Sequence, residues 1–528
     1  MAEPNATRQD VLMERWGLIA LVVMGGGLRL WALDRMPLSL NQDEAVGGYD
    51  AYCLWHTLSD HHGTFLPVLF ESFEDWVSPL LTYLTVPFVG LFGLSETVVR
   101  LPTALAGTAS IPLMYALIQR FEVPSRVALA GAGLLAVSPW HVPLSRWAIP
   151  PSLVTFTMLL ALLAFHRAIE AKGRAVWGRW LGFVLSAALW TYSYPTQKLF
   201  APLVVLGLLV TYVRPRLRVG VPVWLGYVAL ISPMYILVFK DPQRYNARFN
   251  MMRLPLEDAL DKPQLIWEVL IRYGEYLSPD FFFGRGDTNL THHVSGYGAI
   301  SPIVAAFFYL GIAIAVAVSL KRWPETSLIR NRAIELLILL VLYPIPSVVV
   351  YDRLQLNRTV HGFPIAILFV SIGLSHALSW LREVRHVRLV CLTLLTVLAI
   401  ETPAWVSVYW SGHRRDWRFE FQYGLKQVFE KSIALESQYD EVHVNNWINQ
   451  PYIYYLFYSK KDPDQLDYRE INENATPGSW LSVSRIGKWR FREFKPGELD
   501  GATELHVVRT GKRIWHRLLA KGKRLYIE

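Results

Sequence analysis

Two cysteines, Cys53 and Cys391, are all the thiol this chain contains. They cannot build a disulfide framework, and the topology derived below sets them near opposite faces of a bilayer, so thiol chemistry is not expected. Charge is scarce as well: 18% of the residues are Asp, Glu, Lys or Arg, against about 25% in soluble domains. The sequence has no internal repeat of transporter type and no low-complexity tract. Disorder, collagen and coiled coil are excluded by a composition that is 52% hydrophobic and 13% aromatic. What the 528 residues do have is long apolar runs separated by short basic clusters, with a mean hydropathy of +0.26. That is the pattern of a polytopic membrane protein. The net charge of +9, from 52 basic and 43 acidic residues, then belongs to the cytoplasmic ends of spans, and no nucleic-acid partner is implied.

Apolar stretches lie at residues 16–33, 98–119, 126–145, 151–169, 177–194, 199–213, 219–239, 299–320, 333–350, 361–380 and 388–410. They predict eleven spans, the first a retained anchor behind Arg8 and Arg15. A twelfth candidate, residues 76–94, is interrupted by Pro79, Pro87 and glycines. Counting it would invert every later loop, so basic residues decide the matter. With 76–94 along the outer interface, the inward loops hold Arg120 and Arg126; Arg167, Lys172, Arg174 and Arg179; Arg214, Arg216 and Arg218; Lys321, Arg322, Arg330 and Arg332; and Arg382, Arg385 and Arg388. All five obey the positive-inside rule. Residues 34–97, whose only basic residue is Arg35 against nine acidic ones, face outward. So do the short loop at 194–198, residues 240–298, residues 351–361 and the segment 411–528. The expected protein is a multi-pass protein of the cell (plasma or inner) membrane. Its N-terminus is cytoplasmic, and its site and C-terminal domain are periplasmic or extracellular.

Residues 1–410 form the membrane domain in this reading, and 411–528 a small external α/β domain. The latter has strand-like patches at 441–444 and 505–509 and turn signals at Pro477-Gly478 and Pro496-Gly497. From 485 to 524 it holds twelve Lys/Arg against four Asp/Glu. The stretch 512–524 clusters Ile514, Trp515, Leu518 and Leu519 on one face, as expected of a basic amphipathic segment on anionic headgroups.

The outward loop after the first span carries Asn41-Gln42-Asp43-Glu44-Ala45. Asp43 and Glu44 suit the cap of a juxtamembrane helix over 45–54. They equally suit a general base beside a second carboxylate, as sugar transfer to a hydroxyl requires. External cations are Arg146, Lys198 in Tyr194-Pro195-Thr196-Gln197-Lys198, Arg285, Arg353 and Arg358. Each either snorkels at the interface or stabilises charge on a phosphate leaving group. His292-His293 share that face with His56, His61 and His62, but no spacing typical of a zinc site appears and no metal or other cofactor is expected. Aromatic runs at 281–283 and 452–458 read as interface belts or core.

The order of the outward Asp-Glu, then Trp76-Val77-Ser78-Pro79-Leu80, Val99-Arg100-Leu101-Pro102, Ser138-Pro139 and Ser145-Arg146, resembles the GT-C superfamily of membrane glycosyltransferases. Within it the sequence is similar to the protein O-mannosyltransferases and the lipid A aminoarabinose transferases. Gly286-Asp287-Thr288-Asn289 with His292-His293, and Gln450-Pro451-Tyr452-Ile453-Tyr454 with Leu456-Phe457-Tyr458, extend the likeness over nearly the whole chain. The resemblance implies an all-α polytopic fold of about eleven transmembrane helices with juxtamembrane helices. It implies a polyprenyl-phosphate-linked sugar donor, a lipid, glycan or protein acceptor with a hydroxyl or amine, contact with membrane lipids, and inversion at the anomeric carbon, as in a mannosyltransferase. Asp43, with Glu44, matches the catalytic carboxylate position. Arg146 matches the Ser-Arg position and, with Lys198, Arg285 and Arg358, is expected at the donor phosphate. Asp75, Tyr194, Asp287, His292 and His293 are expected at the substrate. The chain departs from its relatives in having Ser78-Pro79 behind Glu74-Asp75. A lipid-linked sugar flippase and an inactive accessory subunit are the competing readings.

Overall fold

The structure is a computed structural model that describes residues 8–528 apart from 74, 214–216, 255–261, 285, 286, 288, 290, 291, 321–326, 352, 353, 382, 412–417, 419, 420, 474–482, 511 and 512. All eleven apolar stretches are helical, and seven helices are long and apolar enough to cross a membrane. The membrane part comprises α1 (Arg8–Leu30), α4 (Glu96–Ile118), α5 (Ser125–Ala136), α6 (His141–Ser145), α7 (Val154–Ile169), α8 (Val176–Thr191), α9 (Gln197–Val213), α10 (Leu217–Lys240), α15 (Ala305–Ser319), α16 (Ser327–Leu342), α17 (Ile345–Val348), α18 (Gly362–Trp380) and α19 (Val384–Ser411). Between them lie α2 (Gln42–Thr57), a hairpin of β1 (Phe70–Ser72) and β2 (Asp75–Val77), α3 (Leu80–Phe92), and the short helices α11 (Pro242–Tyr245), α12 (Ala247–Met252), α13 (Lys262–Tyr276) and α14 (Pro279–Phe283).

One expected span changes, while residues 76–94 are, as expected, no span. Residues 126–145 are not one continuous span: the helix stops at Ala136 and a five-residue helix follows from His141. Ser138-Pro139 supplies the break, because proline disfavours helical backbone in the residue before it. Residues 76–94 are a strand followed by a 13-residue helix, which at 1.5 Å per residue is about 20 Å long and too short for a hydrocarbon core of about 30 Å. Elsewhere small residues bring helices together. A Cβ at Gly311 of α15 would collide with the Phe369 carbonyl of α18, and one at Gly373 with the Phe307 carbonyl, so glycine on both helices permits their close approach.

The C-terminal part contains α20 (Leu425–Leu435), β3 (Glu441–Asn445), α21 (Pro451–Ser459), α22 (Tyr468–Glu473), β4 (Arg485–Ile486), β5 (Trp489–Arg492), β6 (Thr503–Thr510), β7 (Arg513–Lys521) and β8 (Arg524–Ile527). The strands form one sheet in the order β4-β5-β3-β8-β7-β6, with β3 parallel to both its neighbours and the other pairs antiparallel. The expected strands at 441–444 and 505–509 are present. The stretch 512–524 is not an amphipathic helix: its described residues lie in β7, the turn after it and β8, where Leu518 and Leu519 are both buried. Alternation in a strand turns those two residues to opposite faces of the sheet.

The sheet domain shares a core with the segment that follows α1. Leu40, Ala45, Val46, Tyr49 and Cys53 pack in one cluster with Val428, Phe429, Tyr452, Ile453 and Phe457. Polar contacts pin the same seam. The Tyr49 hydroxyl donates to the Lys461 carbonyl at 2.8 Å, Tyr458 donates to Glu96 Oε1 at 2.8 Å, and His62 Nδ1 meets Asn472 Oδ1 at 2.8 Å. At the centre His61 Nδ1 lies 2.6 Å from Asp50 Oδ1 and its Nε2 lies 3.3 Å from the Tyr452 hydroxyl, with His61 and Asp50 almost wholly buried.

Burial by itself would lower the His61 pKa, but Asp50, Asp60 and Glu71 outweigh it and raise it. Burial, then the charge of Asp50, pushes Asp60 up to about 6, while burial and His61 lower His62 to about 4. A raised Asp60 loses stability for the fold as pH climbs through its window, and a lowered His62 gains it over nearly the same window, so the two offset between about 4 and 6.5. His61 then dominates: its contribution is complete below about 6.5, the ordinary histidine value, and disappears as pH rises through its raised value. The melting temperature should therefore fall on going from pH 6.5 to 8, and His61→Gln should flatten that slope; an unchanged slope in the variant would remove His61 as its source. His61→Ala, which strips a buried carboxylate of its partner, should cost about 3–5 kcal/mol in denaturant unfolding.

Candidate functional site

The site is built around the first turn of α2. Asn41 caps that helix: its Oδ1 accepts the Glu44 N–H at 3.0 Å and the Glu44 carboxylate accepts the Asn41 N–H at 3.2 Å. Glu44 is wholly buried and also takes two bonds from Arg100 of α4, Nε to Oε1 at 2.8 Å and Nη2 to Oε2 at 2.9 Å, plus the Ala148 N–H at 3.0 Å. With every lone pair engaged, Glu44 is a structural anchor and has no surface to offer a substrate. Arg100 spends its remaining hydrogens on the carbonyls of Leu33, Pro37 and Ser39. Asp43, one residue earlier, projects about 100° away around the helix and is exposed.

Arg146 is where the sequence reading is corrected. It is 0% exposed and donates to four carbonyls at the end of α1 and just beyond, Leu28 (2.9 Å), Arg29 (3.1 Å), Ala32 (3.1 Å) and Met36 (2.8 Å). Its guanidinium lies 4.9 Å from the centre of the Trp410 ring. Both Nη groups are committed to a helix end, so a phosphate has no approach to them. Arg29, which nothing in the sequence reading singled out, does the same for α5: it bonds the Leu135 and Ala136 carbonyls and His141 Nδ1. An arginine inside an otherwise apolar helix was the available signal.

The other expected residues gather on the far side of Asp43. Tyr194, in the loop between α8 and α9, has its phenol pKa raised first by burial; Arg358 and Arg248 pull it down while Asp75 and Asp43 push it up. Those four charges therefore lie within electrostatic reach of one hydroxyl. Burial also raises the Asp75 carboxyl, and Arg248 and Lys198 partly offset it. Asp75 sits on β2, Lys198 in the first turn of α9, Arg248 on α12 and Arg358 in the 3-10 turn Leu356–Thr359, so four separate elements supply the cluster. Arg248 was missed because it falls in a long loop with no motif. Tyr454 closes the other flank. Its buried phenol is raised by burial and then by Asp43 and Glu44, and among the described residues its hydroxyl has no hydrogen-bond partner.

Asp287 is buried and serves as a loop clasp, accepting from the Asn289 N–H at 2.6 Å, His292 Nδ1 at 2.8 Å and the Leu356 N–H at 2.7 Å. It thereby ties the 240–298 loop to the turn that carries Arg358. His293 Nδ1 faces the Asn289 carbonyl. Arg285 lies outside the described residues. Among the described residues no three His, Cys, Asp or Glu side chains converge on a point that would hold a metal.

Comparison with known proteins places this geometry. Residues 77–238 match the family model described as dolichyl-phosphate-mannose-protein mannosyltransferase. No curated protein sequence matches the chain. Among solved structures, ArnT from Cupriavidus metallidurans bound to undecaprenyl phosphate aligns with a TM-score of 0.53 at 14% identity, covering 97% of this chain and 98% of that one. The Archaeoglobus fulgidus oligosaccharyltransferase tethered to an acceptor peptide aligns with a TM-score of 0.53 at 14% identity, covering 84% of this chain. The alignment takes in 63% of the archaeal protein's length. The same archaeal protein, AglB, in complex with an inhibitory peptide and a dolichol-phosphate, gives 0.52 at 12% identity over 86% of this chain and 64% of that one. The fold and the matched segment together show that this chain resembles the GT-C superfamily of membrane glycosyltransferases, and within it the O-mannosyltransferases and ArnT.

Proposed function

We propose that the protein transfers a sugar from a polyprenyl monophosphate carrier, with inversion, to a hydroxyl or amine presented at the external face of the membrane. The observation that carries this reading is one exposed carboxylate, Asp43, within electrostatic reach of Tyr194, near which three other elements gather the cations Lys198, Arg248 and Arg358. Asp43 takes the proton of the acceptor as its oxygen or nitrogen attacks the anomeric carbon. The bond from that carbon to the phosphate oxygen breaks, its electron pair leaves with the lipid phosphate, and no acid is needed to protonate so good a leaving group. Lys198, Arg248 and Arg358 lie where that developing charge requires fixed donors. Asp75 keeps the cluster from becoming uniformly positive. The kinship with mannosyltransferases makes mannose the first sugar to try.

Asp43→Asn should fold normally and lose several orders of magnitude in turnover, read as release of free lipid phosphate from a panel of purified polyprenyl-phosphate sugars; near-normal release would remove Asp43 as the base. A flippase would instead move the lipid-linked sugar across the bilayer without making a glycosidic bond, and an inactive subunit would bind the donor without turnover. Removing a single fixed cation lowers rate by ~10²–10³ in comparable sites. Arg248→Ala and Lys198→Ala should each approach that loss, while Arg146→Ala should lower the melting temperature. Intact rates in both of the first two variants would place the phosphate elsewhere. Glu44→Ala leaves Arg100 buried and unpaired, which should cost about 3–5 kcal/mol of stability in thermal or denaturant unfolding.

A further inference from the structure

Lys198 and Arg358 come from parts of the chain that are far apart in sequence, the first turn of α9 and the turn Leu356–Thr359 ahead of α18. Beside them two buried side chains meet. Gln197 Nε2 lies 3.1 Å from His361 Nδ1, and both residues are wholly buried. The indole N–H of Trp190 on α8, which can only donate, takes Gln197 Oε1 at 2.9 Å. That turns the amide NH2 group toward Thr196 Oγ1 at 2.9 Å and toward His361. His361 Nε2 lies 2.9 Å from the Tyr343 carbonyl, which can only accept, so Nε2 carries the ring proton and Nδ1 is the acceptor. Every polar side-chain atom of the two residues thus has a partner of the right kind. An amide flip would set buried donors against each other and leave them unsatisfied. The imidazole also stacks on Phe200 of α9, with ring centres 3.8 Å apart.

Tyr343 carries the connection onward to Arg358. Its hydroxyl donates to the Tyr276 carbonyl, and the Tyr276 hydroxyl accepts the Gln355 N–H at 3.1 Å, immediately before the turn begins. The turn is therefore held from both sides, by Gln355 ahead of it and by His361 just beyond it. On the other flank the Tyr235 hydroxyl of α10 donates to the Lys198 carbonyl. Both cations stand on fixed backbone, and the bond between Gln197 and His361 joins the two supports. Spacing of this kind matters for catalysis, because a misplacement of about 1 Å at a charged donor can cost on the order of 10² in rate.

We infer that His361, acting through Gln197, is a positioning residue that sets the separation of Lys198 and Arg358 so that both meet one phosphate group. The inference rests on the assignment of those cations to the donor phosphate made above. His361 itself offers a substrate no surface, so its effect passes through the cations.

The test measures binding of decaprenyl monophosphate, which carries no sugar, to the purified full chain. His361→Gln keeps a donor for the Tyr343 carbonyl and removes the acceptor facing Gln197, whereas His361→Asn keeps that acceptor and drops the donor. The two variants should lower the melting temperature by similar amounts. Only His361→Gln should weaken binding, by roughly ten- to a hundredfold, and His361→Asn should recover most of the loss. Gln197→Met cuts the same bond from its other end and should match His361→Gln. In a Lys198→Ala background His361→Gln should add little, since the two changes disable one unit. Equal affinity in His361→Gln and His361→Asn, or full additivity with Lys198→Ala, would overturn the inference. Unchanged affinity in both Lys198→Ala and Arg358→Ala would instead show that the phosphate assignment is wrong, and the inference would fall with it.

Discussion

The buried ion pair between Glu44 and Arg100 is the constraint on which the site depends. A carboxylate with no exposed surface is stable only if fully paired and hydrogen-bonded, and Glu44 receives Arg100, the Ala148 N–H and the Asn41 N–H at once. Three pieces of chain that are far apart in sequence thereby meet at one oxygen pair: the start of α2, the first turns of α4 and the turn after α6. Arg100 gathers a fourth through the carbonyls of Leu33, Pro37 and Ser39. Helix geometry then leaves Asp43 no choice but to face outward, since consecutive residues diverge by about 100°. Two adjacent acids acquire opposite roles because one is consumed in holding the other.

Guanidinium groups do similar work at the ends of α1 and α5. A helix terminus leaves carbonyls without partners, and hydrocarbon supplies no water to satisfy them. Arg146 meets that need at the end of α1 and Arg29 at the end of α5. These are cations facing the negative ends of helix dipoles, which is why neither requires a carboxylate partner. A basic residue at the mouth of a span thus has a third option besides snorkelling to headgroups or binding a ligand.

The sheet domain is part of the same machine. It shares a core with α2, contributes Tyr454 to the surroundings of Asp43, and is latched through His61, Asp50 and Tyr452. Reading 411–528 as a small α/β unit gave its class correctly, because turn signals and alternation are local. Its docking was not legible, since the partners lie about 400 positions away, as with Tyr49 and Lys461. Leu518 and Leu519 show the limit within the domain: both are buried, yet on a strand they cannot share the face that a helical projection assigns them.

Hydropathy marked eleven stretches that all prove helical, because the need to bury backbone polar groups and match a bilayer acts on each segment independently. Loop placement and the family resemblance point to Asp43, Asp75, Tyr194, Lys198 and Arg358, and the structure sets these residues within electrostatic reach of one another. Sequence could not distinguish Asp43 from Glu44, or Lys198 from Arg146, and it passed over Arg248 and Arg29. Whether an arginine is spent on carbonyls or left to meet a substrate depends on which helix end lies beside it. That neighbour is chosen by packing between distant segments, and only the tertiary structure decides it.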